Sequence, residues 1–161
     1  MQVKEKQSVI FASINEMMPL IIESVELGND VELSPRGVSM LPMLREGKDS
    51  VIITSPSGRL KKYDIPLYRR ADGVYVLHRV VKVGEFYACV GDGQYVLERV
   101  SDEQIVAVVT KFRRGNRLIS TTNLFYRAYA IFWTNTRPVR LFCFKVKRKL
   151  KRIFNKKNKK I

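Results

Sequence analysis

Histidine is nearly absent from this 161-residue chain: His78 is its only imidazole. Cysteine is almost as scarce, with Cys89 and Cys143 in apolar surroundings and no CxxC spacing. That excludes a disulfide framework or a Cys/His zinc site, and the two thiols read as buried or inert. No apolar run of about 18 residues occurs, so a spanning helix is not expected. Arg127, Arg137 and Arg140 interrupt the most hydrophobic stretch, LFYRAYAIFWTNTRPVRLFCF. The opening MQVKEKQSVIFASINEMMPLII mixes charges into its apolar residues, unlike the basic start and unbroken apolar core of a signal peptide. A cytoplasmic location, or one peripheral to the cytoplasmic membrane, is the expectation, with the side of the membrane left open.

Acidic residues are also missing from one end. Residues 111–161 hold 17 Lys and Arg and no Asp or Glu, whereas residues 1–110 hold 13 basic and 15 acidic side chains. The net charge of +15 therefore belongs to a nearly neutral body with a strongly basic tail. Such asymmetry points the tail, and not the body, toward an anionic surface.

What is present reads as one β-rich unit of ordinary size, long enough to bury a core. In PLIIESVELGND, Pro19 suits a first helical turn, Leu20, Ile21, Val25 and Leu27 can share a face, and Gly28 suits the stop. Short β-prone runs follow at regular intervals: VELS, SVIITS, the stretch around DIPLYRR, GVYVLHRVVKV, EFYACVGD, QIVAVVTKF and RLIST. That spacing is one of a small all-β sandwich or barrel. Pro66 demotes its run to an edge strand or a bulge. Three segments result: a helical segment 1–30, a β domain 31–121, and an aromatic and basic tail 122–161.

In the tail, Val139, Phe142, Cys143, Val146, Leu150, Ile153 and Phe154 recur at helical spacing on one face, with Lys145, Lys147, Arg148, Lys149, Lys151 and Arg152 mostly on the others. With Phe125, Tyr126, Tyr129, Phe132 and Trp133 nearby, this describes a basic amphipathic helix lying in a membrane interface. Each Lys or Arg near an anionic leaflet contributes about 1 kcal/mol. A helix packed on the body with a solvated basic face is the second reading. A nucleic-acid tail is the third, disfavoured because no RNA or DNA motif accompanies the charge.

Two residues carry the chemistry. Ser39 sits in the apolar GVSMLPML, before Pro42, where a hydroxyl is either bonded to nearby backbone or a nucleophile that needs a base. His78 lies in VYVLHRVV, a strand whose alternation places Val74, Val76, His78 and Val80 on one face. Among apolar neighbours it is either a satisfied core histidine or a neutral imidazole suited to general-base work.

These short motifs, taken in order, resemble a known family. GVSMLPML is similar to the Ser-Met-x-Pro nucleophile motif of the signal peptidase I and LexA-like serine peptidases. LKKYDIPLYRR resembles their Gly-Asp-Ile-Val box, with Tyr63 where Gly is usual, and VLHRVVKV resembles the strand carrying the base. His78-Arg79-Val80 is similar to the His-containing endoplasmic-reticulum, archaeal and sporulation-type branch, where other members have Lys. GDGQYVLERVSDEQIVAVV resembles the Gly-Asp box and the strand after it, so the likeness covers residues 31–110.

The resemblance implies a compact coiled antiparallel β-fold with a groove that takes substrate as an added strand. It implies an endopeptidase that cleaves a signal or leader peptide through an acyl-enzyme, Ser39 attacking and His78 moving the proton. The supporting acid in that branch lies several residues beyond the Gly-Asp box, nearest Glu98. Asp102 is the next candidate, and Asp92 supports either its own loop or the His. The Ser39 N–H would serve the oxyanion, within a turn that includes Gly37, Met40 and Pro42. Gly37 excludes the side-chain donor that some relatives carry two residues before the nucleophile, Met43 stands where Thr is common, and the usual N-terminal anchor is missing. No cofactor or metal is implied. The partners expected are a peptide or preprotein and an anionic membrane surface, the latter contacted through Phe142, Val146, Lys147, Lys149, Leu150 and Lys151. The competing reading is an inactive or self-cleaving regulator of the same fold that binds membrane or nucleic acid through its tail.

Overall fold

The structure, a computed structural model, describes residues 14–144 and 146. Helix α1 spans Ile14–Glu26, so Pro19 lies inside it instead of opening it. One turn in, its missing N–H costs a single bond to the first turn. The buried stripe is Met18, Ile21 and Val25, while Leu20 and Leu27 are 67% and 75% exposed, contrary to the expected face. Earlier helical residues move the stripe: 18, 21 and 25 follow the i, i+3, i+7 rule once the helix starts before Pro19.

Among the described residues nine strands follow: β1 (Val31–Leu33), β2 (Asp49–Thr54), β3 (Pro66–Arg69), β4 (Tyr75–Leu77), β5 (Arg79–Val83), β6 (Tyr87–Val90), β7 (Glu98–Val100), β8 (Ile105–Arg114) and β9 (Arg117–Ser120). They pair antiparallel in two sheets. The larger has the order β1-β2-β8-β3-β4 with β9 also on β8, and the smaller is β5-β6-β7. A mainly β architecture with a helix at its N-terminal end thus matches the expectation. Strand β7 was not legible as a separate run, because three residues after a Gly-rich loop carry too little alternation.

Two readings of strands need correction. The Pro66 run is not at an edge, since β3 lies between β8 and β4. Pro66 is its first residue, and the register with β8 shifts between Leu67 and Tyr68, so the bulge half of the expectation holds. GVYVLHRVVKV is not one strand either. The chain leaves the large sheet after Leu77 and enters the small one at Arg79, with His78 at the crossing. Leu77, His78, Arg79 and Val80 are consequently all buried, and the period-2 alternation fails there.

The crossing separates two hydrophobic clusters. The larger joins α1, Met40, Met43 and Leu44 to one face of the large sheet through Val51, Ile53, Leu67, Leu77, Ala107, Val109 and Phe112. The smaller holds Leu60, Tyr68, Val80, Tyr87, Cys89 and Val100. Adjacent residues of β3, Leu67 and Tyr68, feed opposite clusters, as side-chain alternation requires.

Helix α2 (Leu124–Asn135) is capped by Asn123, whose side chain accepts from the N–H groups of Phe125 and Tyr126. Tyr126 and Ala130 join the larger core. Tyr126, Tyr129 and Trp133 therefore face the body and not a membrane, which corrects part of the interfacial reading. Helical backbone continues over 137–144, where Arg137 donates to the Tyr95 carbonyl and Phe144 stacks on Tyr95 at 4.4 Å. Phe142 and Val146 are exposed. Lys147, Lys149, Leu150 and Lys151 lie outside the described residues. Among the described residues, no helix is long and apolar enough to cross a membrane.

Candidate active site

Gly37, with φ +85°, turns the chain after β1 into the segment that carries Ser39. Buried Met40, Met43 and Leu44 anchor that segment in the larger core, and Leu41–Pro42 is a cis peptide. Behind it, Arg45 forms a two-point pair with Asp49, 2.9 and 2.8 Å, which closes the loop onto β2. Ser39 is half-buried, and among the described residues neither its hydroxyl nor its N–H makes a hydrogen bond. The structure thus does not bear out the turn-hydroxyl alternative, in which Ser39 bonds nearby backbone.

The Gly91-Asp92-Gly93 loop seats this turn. Gly93 N–H donates to the Ser39 carbonyl at 2.8 Å. A Cβ on Gly91 would sit 2.4 Å from that same oxygen, and one on Gly93 2.9 Å from the Val38 carbonyl. Only glycine permits so close a backbone approach. Between them Asp92 turns inward and pairs with Arg79 through two hydrogen bonds, 2.8 and 2.7 Å, both side chains buried. Burial opposes the Arg79 charge, but the bonds to Asp92 outweigh it and raise its pKa. The Tyr126 hydroxyl and the Tyr63 carbonyl accept further bonds from Arg79, and Trp133 Nε1 donates to the Asp92 carbonyl at 3.0 Å. Asp92 therefore hydrogen-bonds Arg79 and not the imidazole, on which it acts only through its charge.

His78, 1% exposed, is held from Nδ1. The Tyr68 hydroxyl lies 2.9 Å from Nδ1, and the same hydroxyl donates to Glu98 Oε2 at 2.7 Å. Glu98 Oε1 is 3.4 Å from Nδ1, and Arg70 grips the carboxylate with Nε at 2.7 Å and a second contact from Nη2. A phenol has one proton. With that proton given to Glu98, Nδ1 must donate to the Tyr68 oxygen, which leaves the lone pair on Nε2. Val80, Cys89 and Glu98 stand in register across β5, β6 and β7, and this pairing brings the acid beside the crossing that carries His78.

The charges follow from these contacts. Burial and the Arg70 guanidinium push His78 below its ordinary value, against the pull of Glu98. Burial favours a neutral Glu98 carboxyl, but the bonds from Arg70 and Tyr68 prevail and hold it below its ordinary value. Asp102 is elsewhere: it lies in the 3-10 turn Asp102–Gln104 and accepts from the Tyr87 hydroxyl. Tyr68 and Arg70 were missed in the sequence. Their signal was an i, i+2 pair of polar groups in PLYRR, on one face of a strand.

A cleft of about 250 Å³ is lined by Arg36, Gly37, Ser39, Met40, Leu67 and Leu77, with Tyr75 and Val76 at its side. Strand β4, which supplies Tyr75–Leu77, pairs among the described residues with β3 alone, and none of them covers its other edge. Ser39 and the residue preceding His78 thus share one cavity beside that edge. Val90 pairs with Arg79 next to His78, and Gly91 abuts Ser39, so one strand end neighbours both residues, while His78 itself does not line the cleft and makes no hydrogen bond to Ser39. No family model, curated protein or solved structure matches the chain.

Proposed function

We propose that this protein is a serine endopeptidase acting on a signal or leader peptide, with Ser39 as nucleophile, His78 as general base and Glu98 as the orienting acid. The observation that carries the reading is the Glu98 and Tyr68 clamp on His78 Nδ1, which frees Nε2, together with a Ser39 hydroxyl that bonds to nothing else among the described residues. A core histidine would need no half-buried acid fixed in turn by an arginine. Tyr63 adds support: its φ is +83°, a backbone conformation suited to the Gly usual in the resembled family's box.

In this mechanism Ser39 Oγ attacks the scissile carbonyl as its proton passes to His78 Nε2, and the Ser39 N–H stabilises the resulting oxyanion. The C–N bond then breaks, His78 returns the proton to the leaving amine, and an ester to Ser39 remains. Water, deprotonated by His78, attacks the ester and frees Ser39. Positioned base catalysis of this kind contributes roughly 10² to 10⁴-fold. The substrate lies as an added strand on the β4 edge, its side chains directed into the apolar cleft.

Mass-spectrometric cleavage profiling of a diverse peptide mixture, with wild type beside Ser39→Ala and His78→Ala, tests the reading. Cuts made by wild type and lost in both variants are the result expected. Cuts that persist in either folded variant would sink the pair.

A further inference from the structure

Helix α2 is apolar on two opposite faces. One, through Tyr126 and Ala130, is packed into the body. The other carries Leu124, Phe125, Ile131 and Phe132, at i, i+1, i+7 and i+8, with Phe125 87% exposed and Phe132 64%. Val139 and Phe142 in 137–144 are exposed apolar side chains as well. An exposed apolar stripe on the side of a helix opposite its packed face marks a contact surface.

The charge around the stripe selects its occupant. Arg117 and Arg127 are exposed, and the stripe lies within a 51-residue stretch that has 17 basic and no acidic side chains. A second copy of the chain would set two such stretches face to face and repel. A nucleic acid would satisfy the charge and stack bases on Phe132, but would leave Leu124 and Ile131 without an apolar partner. An anionic bilayer supplies both an apolar layer and negative headgroups.

We propose that the outer face of α2 and of 137–144 docks on an anionic lipid bilayer, with Phe125 and Phe132 inserted below the headgroups. Phe125 also borders a groove with Pro42 and Met43 of the Ser39 turn, so docking sets that turn close to the lipid surface. The docking does not rest on the peptidase reading, and its test needs no cleavage.

The full chain is sedimented with phosphatidylcholine vesicles, with and without phosphatidylglycerol, beside the uncharged double variant Phe125→Gln/Phe132→Gln. Both residues are exposed, and circular dichroism establishes that the variant is folded. Wild type is expected to partition onto the anionic vesicles, and the variant to do so about tenfold less. Unchanged partition of the variant would mean attachment through tail charge alone and would overturn the proposal, as would wild-type indifference to phosphatidylglycerol. A lipid-free dimer that the variant disperses would assign the face to a second copy and would overturn it equally.

Discussion

The Tyr68 hydroxyl stands between His78 Nδ1, 2.9 Å away, and Glu98 Oε2, 2.7 Å away. One phenolic proton cannot serve both, so the shorter bond to a carboxylate decides the tautomer of the imidazole. Removing that hydroxyl leaves Nδ1 and the carboxylate short of a partner in a buried site. Tyr68→Phe is expected to lower kcat roughly 10- to 100-fold with KM little changed, and to cost about 1–3 kcal/mol of stability. Steady-state kinetics and urea melts check both, and an unaltered kcat would remove Tyr68 from the role.

The pH dependence has a defined sign. His78 is held below its ordinary 6.5 by burial and by Arg70, against the pull of Glu98 and, more weakly, of Asp92. Its neutral, base-competent form thus survives below that pH, and the acid limb of kcat/KM should fall below 6.5. Arg70→Met removes a repelling cation and should move the limb upward. Glu98→Gln removes the attracting anion and should move it further down while kcat falls about 100-fold or more. Limbs unmoved in both variants would contradict the arrangement. The same shift acts on stability, because the unfolded chain binds this proton first. The contribution of neutral His78 is complete above 6.5, the value of the unfolded chain, and is lost as pH falls from there through the lower value of the folded protein.

Asp92 neutralises a buried guanidinium. Asp92→Ala strands Arg79 without a countercharge, and a loss of about 3–5 kcal/mol is expected in denaturant unfolding. A loss below about 1 kcal/mol would show that Arg79 finds another partner.

Gly91 tests the seat of the nucleophile. A methyl group there meets the Ser39 carbonyl at 2.4 Å, so the turn must move. Gly91→Ala should cost about 1–3 kcal/mol and reduce kcat, whereas Gly84→Ala, whose nearest neighbour is 3.7 Å away, should change neither. Equal activity in the two variants would detach the glycine loop from the site.

Ser39 and His78 were legible as candidates because each is a polar exception in an apolar run, and Glu98 only through the family resemblance, which implies an acid several residues beyond the Gly-Asp box. Most strands were legible too, since alternation and turn residues are local properties. Tertiary structure decided the rest. Nothing local says that VYVLHRVV breaks at His78, because the break arises where two sheets diverge and bury four consecutive residues. Asp92 and Glu98 look interchangeable as letters, yet strand register sends one to Arg79 and the other to His78. The aromatics of 125–133 form a single apolar band in sequence, and packing against the sheet divides them into a face that builds the core and a face left to the outside. Composition and periodicity determine which elements form and how charge is distributed along them. Which polar groups meet depends on contacts between residues far apart in the chain, and those exist only once the sheets have paired.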